Sequence, residues 1–239
     1  MKPFTIAVLL SGSGSNLQAL LDAQDSGALG AQVGLVLTDR ADAYGLQRAL
    51  ARNIPAACVP LPRSADPAAR AAARMAWERR LLAVLNAFEY DLVLLSGFMR
   101  VLTADFLAGC HAQVINQHPA LLPDPGRSFD ASHSSGGDSV TTSSGAVIPA
   151  LRGAHVVAEA LKRGLPITGC TIHRVTPAVD DGPLLASAEV PILPGDDEDS
   201  LHERIKAQER RLVVEVVARL AREAGPGDRE TGRLGESKS

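Results

Sequence analysis

The sequence predicts an α/β domain with a mostly parallel, twisted sheet flanked by helices, and three observations carry that prediction. Short apolar runs of strand length recur along the chain. Between them lie longer segments with apolar residues at helical spacing. Turns containing glycine or proline separate the two. Strands alternating with helices are the pattern of a parallel sheet covered on both faces. A length of 239 residues suffices for one such domain with a sizeable core.

Taken in order, Thr5 to Leu10 is an apolar strand closed by the turn Ser11-Gly-Ser-Gly-Ser-Asn16, after which Leu17, Leu20 and Leu21 share a helix face. Val33 to Leu37 gives a second strand, Tyr44 to Arg52 a second helix, and Ala56 to Val59 a short third strand. Asp66-Pro67 opens a long Ala- and Arg-rich helix to about Phe88, with proline at the first helical position after an acidic cap. Leu92 to Leu95 and Val114 to Asn116 are further strands. From Asp124 to Ile148, 13 of 25 residues are Ser, Thr or Gly, so few apolar groups offset the cost of ordering. A solvated surface loop is the expectation there. Periodicity resumes in a helix from Ala154 to Lys162, strands at Ile167 to Val175 and Leu184 to Val190, and a last helix from Asp199-Ser200 that carries Leu201, Ile205, Leu212, Val216 and Leu220. The Gly-rich, charged tail at 224–239 is expected to be disordered.

Composition narrows the function. Aromatics are only 3% of the chain, so Ala, Leu and Val must build the core. A net charge of −3 provides no electrostatic footprint for nucleic acid or an anionic membrane. The apolar N-terminal run ends in a Gly/Ser turn without a small-residue cleavage site, so it reads as a first strand rather than a signal peptide. No segment reaches the ~18 apolar residues of a membrane span. Cys58, Cys110 and Cys170 form no CxxC pair, and no HExxH-type spacing exists, so neither a disulfide framework nor a metal is expected. Small buried apolar roles are expected for the three cysteines. The expectation is a cytoplasmic protein acting on small molecules, as a monomer or homodimer.

Three segments hold candidate chemistry. A glycine-rich turn between strand and helix, as at Ser11 to Asn16, lets backbone N–H groups meet a phosphate at the positive end of a helix. It is not a Walker loop, and Leu17 stands where the dinucleotide fingerprint needs its third glycine. In Val114-Ile-Asn116-Gln-His118-Pro119, residues two apart on a strand share a face, so Asn116 and His118 project together beyond the strand's carboxyl end. Asn can donate to a carbonyl oxygen, and His can move a proton near neutral pH. A turn histidine capping a backbone group is the competing role. Asp180-Asp181-Gly182-Pro183 is a turn in which an Asp commonly bonds its own backbone, and separation in sequence does not show whether it meets His118. His111, His133 and His202 carry no partner signal and are expected at the surface. Arg63, Arg70, Arg74, Arg79 and Arg80 read as solvated helix-face charges.

Together these segments resemble the glycinamide ribonucleotide transformylase family, enzymes of purine synthesis that use 10-formyltetrahydrofolate. The matching pieces are LLSGSGSNLQALLDA at 9–23, TDRADAYGLQRA at 38–49, LVLLSGFMRVL at 92–102, INQHPALLP at 115–123, ITGCTIHRV at 167–175, VDDGPLLA at 179–186 and QER at 208–210. They stand in family order across nearly all of 5–215 with one interruption. The resemblance implies a single Rossmann-like formyltransferase domain over 1–223 with an insertion at about 124–148. It implies that Gly14, Ser15 and Asn16 hold the ribonucleotide phosphate, that Arg74 approaches the same substrate, and that Glu209 contacts its glycinamide part. Phe98, Met99, Arg100, Val101 and Leu102, with Asp180, would line the folate pocket. Asn116, His118 and Asp180 match the catalytic trio, with His118 protonated to stabilise an oxyanion, and His155 and His173 support the site.

Two departures stand out. The family's Pro-Gly-x-His followed by a helix is either Pro125-Gly126 or the segment with Gly153 and His155; a helix follows His155 at once, which favours the latter. Asp181 stands where the family tends to have a small residue, and an inward carboxylate there would perturb His118. Among relatives sharing Asn-x-His, methionyl-tRNA formyltransferases normally add a C-terminal tRNA-binding domain and formyltetrahydrofolate deformylases an N-terminal regulatory one, so neither fits as well. A degenerate, non-catalytic nucleotide binder is the alternative from another class.

Overall fold

Seven strands form one sheet in the order β3-β2-β1-β4-β5-β8-β9. The computed structural model describes residues 2–63, 65–124 and 139–225. The strands are β1 Phe4–Leu10, β2 Ala31–Thr38, β3 Ala56–Cys58, β4 Leu92–Ser96, β5 Gln113–His118, β8 Ile167–Arg174 and β9 Leu184–Pro191. From β3 to β5 every pairing is parallel, and β8 and β9 add antiparallel. The central strands β1 and β4 are buried along their whole length, which is why they read as unbroken apolar runs rather than alternating ones.

Two apolar clusters cover the two faces. Ile6, Val8, Leu10, Leu94 and Ile115 pack with the helices α1 (Ser15–Asp25) and α6 (Glu198–Glu223) on one side. On the other, Ala7, Leu9, Val93, Leu95 and Val114 pack with Trp77, Leu81 and Leu85 of α3 (Pro67–Asn86). Aromatic scarcity makes the exception informative. Trp77 is fully buried, donates Nε1–H to the Val59 carbonyl at 2.7 Å and stacks on Phe98. Asp66 caps α3 as its sequence predicts, accepting from Ala69 N–H at 2.8 Å.

Several expectations need correction. A short helix, α4 (Ala104–Gly109), follows β4; its signal was Thr103, whose hydroxyl caps it and donates to Glu78 at 2.5 Å. Helix α2 (Tyr44–Leu50) is shorter than expected, and Ala51–Asn53 form turns. The described part of the Ser/Gly-rich stretch is not a plain loop. It holds an antiparallel hairpin, β6 Ser139–Thr141 and β7 Val147–Pro149, before α5 (Val156–Lys162). Ser143 at its tip donates both its N–H and its hydroxyl to the Glu189 carboxylate of β9, at 2.5 and 2.6 Å. The rest of that stretch, Gly126 included, lies outside the described residues, as do His133 and the tail beyond Gly225. Of the cysteines only Cys170 is fully buried, its thiol pushed up by burial to about 12. No described helix is long and apolar enough to cross a membrane.

Candidate active site

The strand order reverses between β2 and β4 on either side of β1, and the carboxyl ends of β1, β4 and β5 open there into one cavity of about 670 Å³. Open α/β sheets place ligands at such a switch point. On the α1 side, Gly14 takes φ 68° as it enters the helix, and a Cβ there would sit 2.9 Å from Gly45 Cα, so only glycine fits. Arg48 steadies the loop by donating Nε–H to the Ser13 carbonyl at 2.9 Å. Gly14, Ser15 and Asn16 line the cavity, as does Glu209 from α6. Burial pushes the Glu209 carboxyl above its ordinary value, with the Asn16 amide opposing.

On the other side Gly97, at φ 64°, turns the chain out of β4 so that Phe98 to Leu102 border the cavity. Phe98 and Leu102 bury against the α3 cluster, while Met99 and Val101 are exposed at its mouth. Arg100 donates Nε–H to the fully buried Asp39 carboxylate at 2.6 Å. Asp39 accepts from Ser11 Oγ at 2.6 Å, and Ser11 Oγ in turn accepts the Met99 N–H at 3.0 Å.

Between these halves the tip of β5 carries Asn116 and His118. Asn116 stands opposite His173 of β8 in register, its Nδ2 3.2 Å from His173 Nε2. His173 Nδ1–H donates to the Arg174 carbonyl at 2.9 Å, so in the neutral ring Nε2 accepts one hydrogen of the Asn116 amide, and in the protonated ring it donates to Asp180 instead. Among the described residues the second amide hydrogen has no acceptor. His118 Nε2–H donates to the Leu151 carbonyl at 2.8 Å, and its Nδ1 lies 3.5 Å from Asp180 Oδ2. Asp180 Oδ1 is also 3.5 Å from His173 Nε2, and Oδ2 accepts the Gly153 N–H at 2.8 Å. Burial pushes the Asp180 carboxyl up, yet the His173 ring, the nearby His118 and the Gly153 N–H outweigh it, and the net direction is down. Burial pushes the His118 ring below the ordinary histidine value despite Asp180. That direction favours the uncharged ring, where the resemblance implied a protonated one.

The structure thus gathers every expected site residue at one cavity except Arg74. Arg74 does not line it but donates to the Val101 carbonyl at its mouth, beside Glu78. Asp181 does not point at His118 either; half exposed, it accepts from Arg152 at 3.1 Å. The same arginine donates Nε–H to the Asp180 carbonyl at 3.0 Å. His155 caps α5 at φ 60° and borders the cavity with Gly153. Sequence reading missed His202 and Lys206, which reach the cavity from α6. Their signal was helical spacing to Glu209, seven and three residues on. Among the described residues no cluster of metal-ligating side chains exists.

The family model described as formyl transferase matches residues 4–129 and 144–217, which include every residue named above at the cavity. This chain belongs to the formyl transferase family. Among formyl transferases, the phosphoribosylglycinamide formyltransferase of Mycobacterium tuberculosis strain H37Rv is 40% identical over 219 residues, covering 92% of this chain and 86% of that protein. The enzyme of the same name from Escherichia coli K12 is 32% identical over 216 residues, covering 90% and 86%. The crystal structure of glycinamide ribonucleotide transformylase 1 from Symbiobacterium toebii superposes with a TM-score of 0.74 at 34% identity, covering 92% of this chain and 89% of that one.

Proposed function

We propose that this formyl transferase moves the formyl group of 10-formyltetrahydrofolate to the amine of 5′-phosphoribosylglycinamide, as the names of its relatives indicate. The observation that carries the reading is the trio itself: Asp180 lies 3.5 Å from His118 Nδ1 beside Asn116, in a cavity that also receives the glycine loop. In this reading Gly14, Ser15 and Asn16 receive the phosphate through backbone N–H groups at the start of α1. Glu209 and Lys206 face the rest of the ribonucleotide. Phe98 to Leu102 hold the folate ring. Arg74, committed to the Val101 carbonyl, would act by holding that segment rather than by touching phosphate.

The chemistry is direct acyl transfer. The substrate amine attacks the formyl carbon, a C–N bond forms, and the carbonyl π pair moves onto oxygen. Asn116 donates its free amide hydrogen to that oxyanion. The nitrogen that attacked must lose a proton and the folate nitrogen must gain one. Neutral His118, with Nε2–H held by Leu151, has its Nδ1 lone pair available beside Asp180, so it accepts the first proton as an imidazolium steadied by the carboxylate. The same proton passes to the folate nitrogen as its bond to carbon breaks. The charge on His118 that helps the oxyanion thus arises during the reaction.

The deciding experiment incubates the protein with 5′-phosphoribosylglycinamide and 10-formyltetrahydrofolate and follows tetrahydrofolate. Release that requires the ribonucleotide is expected. Release without it would make the protein a hydrolase, and ribonucleotide binding without release would make it a non-catalytic relative.

A further inference from the structure

Alternate residues of β5 serve opposite faces, so the residue between Asn116 and His118 looks away from the trio and towards α1 and α6. That residue is Gln117. It is 6% exposed, borders the cavity, and pairs in register with Ser96 of β4. Ser96 Oγ donates to its Oε1 at 3.4 Å, which orients the amide. Its Nε2 has no hydrogen-bond partner among the described residues. Asn16, 9% exposed and also bordering the cavity, has an unpartnered Oδ1. Both amides face the Glu209 carboxyl closely enough to oppose the upward push of burial on it, although Gln117 Nε2 makes no full hydrogen bond there.

A buried donor without a partner weakens a fold, and native proteins rarely keep one without use. Here a spare donor, a spare acceptor and a carboxyl border one cavity. A carbonyl would satisfy only the donor. A hydroxyl satisfies both kinds of group, because it donates and accepts. We propose that Gln117 is a binding residue for the ribonucleotide, its Nε2–H donating to a ribose hydroxyl whose own hydrogen goes to Asn16 Oδ1 or Glu209. This rests on the formyl transfer reading above. It assigns the two sides of one strand tip to two tasks, with Asn116 and His118 at the reacting carbon and Gln117 on the sugar.

The test compares wild type with Gln117→Met and Gln117→Leu. Methionine keeps the unbranched shape and loses the donor. For Gln117→Met the KM for 5′-phosphoribosylglycinamide should rise about 3- to 10-fold, the size of one lost neutral hydrogen bond. The KM for 10-formyltetrahydrofolate should stay within about twofold, and kcat within about threefold. Without substrates, the unfolding temperature of at least one variant should equal or exceed that of wild type, because an unpartnered buried donor has been removed. An unchanged ribonucleotide KM would mean that the donor serves only water, and a shift in the folate KM instead would put it in the wrong half. A large loss of stability in both variants would make its role structural. Each of these overturns the proposal. Failure of wild type itself to release tetrahydrofolate would instead overturn the reading beneath it.

Discussion

In the proposed mechanism Asn116 serves as an oxyanion donor because its amide is already aimed: His173 fixes one hydrogen and leaves the other. Asn116→Ala removes that donor without opening the core, so the protein should fold and bind ribonucleotide while kcat falls about 100- to 1000-fold, as loss of one such donor commonly does. Single-turnover kinetics would check it, and near-wild-type turnover would remove Asn116 from the role. His118 makes a second prediction at this scale. Its folded pKa is depressed by burial and is partly held up by Asp180. Activity needing the neutral ring should therefore persist below pH 6.5 and fall only on further acidification. Asp180→Asn deletes the group that holds the pKa up, so the acid limb of kcat/KM should move to lower pH as kcat drops. A limb that stays put, or moves to higher pH, would show that another group sets it. The identities of these residues were legible in the sequence because β5 spacing puts Asn116 and His118 on one face. The downward push on the His118 pKa was not, because it depends on how deeply chain segments far apart in sequence bury the ring.

At the level of elements, the turn after β8 has to put Asp180 in the left-handed region at φ 51°, a conformation costing about 1–3 kcal/mol for a non-glycine residue unless its surroundings impose it. Gly182 lets the chain pass, since a Cβ there would lie 1.8 Å from the Arg174 carbonyl. Arg152, just before α5, grips the turn from outside through the Asp180 carbonyl and the Asp181 carboxylate. Asp181 is thus half of a brace rather than a disturbance to His118. Arg152→Ala should lower kcat about tenfold, roughly 1.4 kcal/mol of barrier, with both KM values nearly unchanged. Because the Arg152 charge also presses the His118 pKa down, the acid limb should move to higher pH, opposite to Asp180→Asn. A loss of kcat with no such movement would reduce Arg152 to a merely structural part. None of this could be read from sequence: 28 residues separate Arg152 from Asp180. The hairpin β6–β7 escaped for a different reason. Its strands are three residues each and its Ser/Thr-rich sequence buries little beyond Ile148 and Thr142, so no alternation announces it.

Across the whole molecule, the parallel strands were legible because the central ones, buried on both faces, are written as continuous Val, Leu and Ile runs, and the switch point then followed from the glycine loop after β1. What sequence could not show is how the two halves of the cavity are joined. The glycine loop grows from β1 and the Phe98 to Leu102 segment from β4, and the residue that ties them is Asp39, just past the end of β2, to which the sequence reading gave no role. Its buried carboxylate takes Ser11 on one oxygen and Arg100 on the other, and Ser11 closes the ring onto Met99 while its own N–H donates to the Gly97 carbonyl at 3.1 Å. Losing the carboxylate strands two donors at once, so Asp39→Ala should cost about 1–3 kcal/mol of stability. More telling is its kinetic signature. Loosening a shared support should raise the KM for both substrates by several fold and leave kcat less affected, whereas a residue belonging to one half would move one KM alone. Asp39→Asn keeps an acceptor for Ser11 or Arg100 and should fall between wild type and Asp39→Ala in both constants. If the two KM values respond independently across this pair of variants, the two sides of the cavity are built separately and Asp39 supports only one of them.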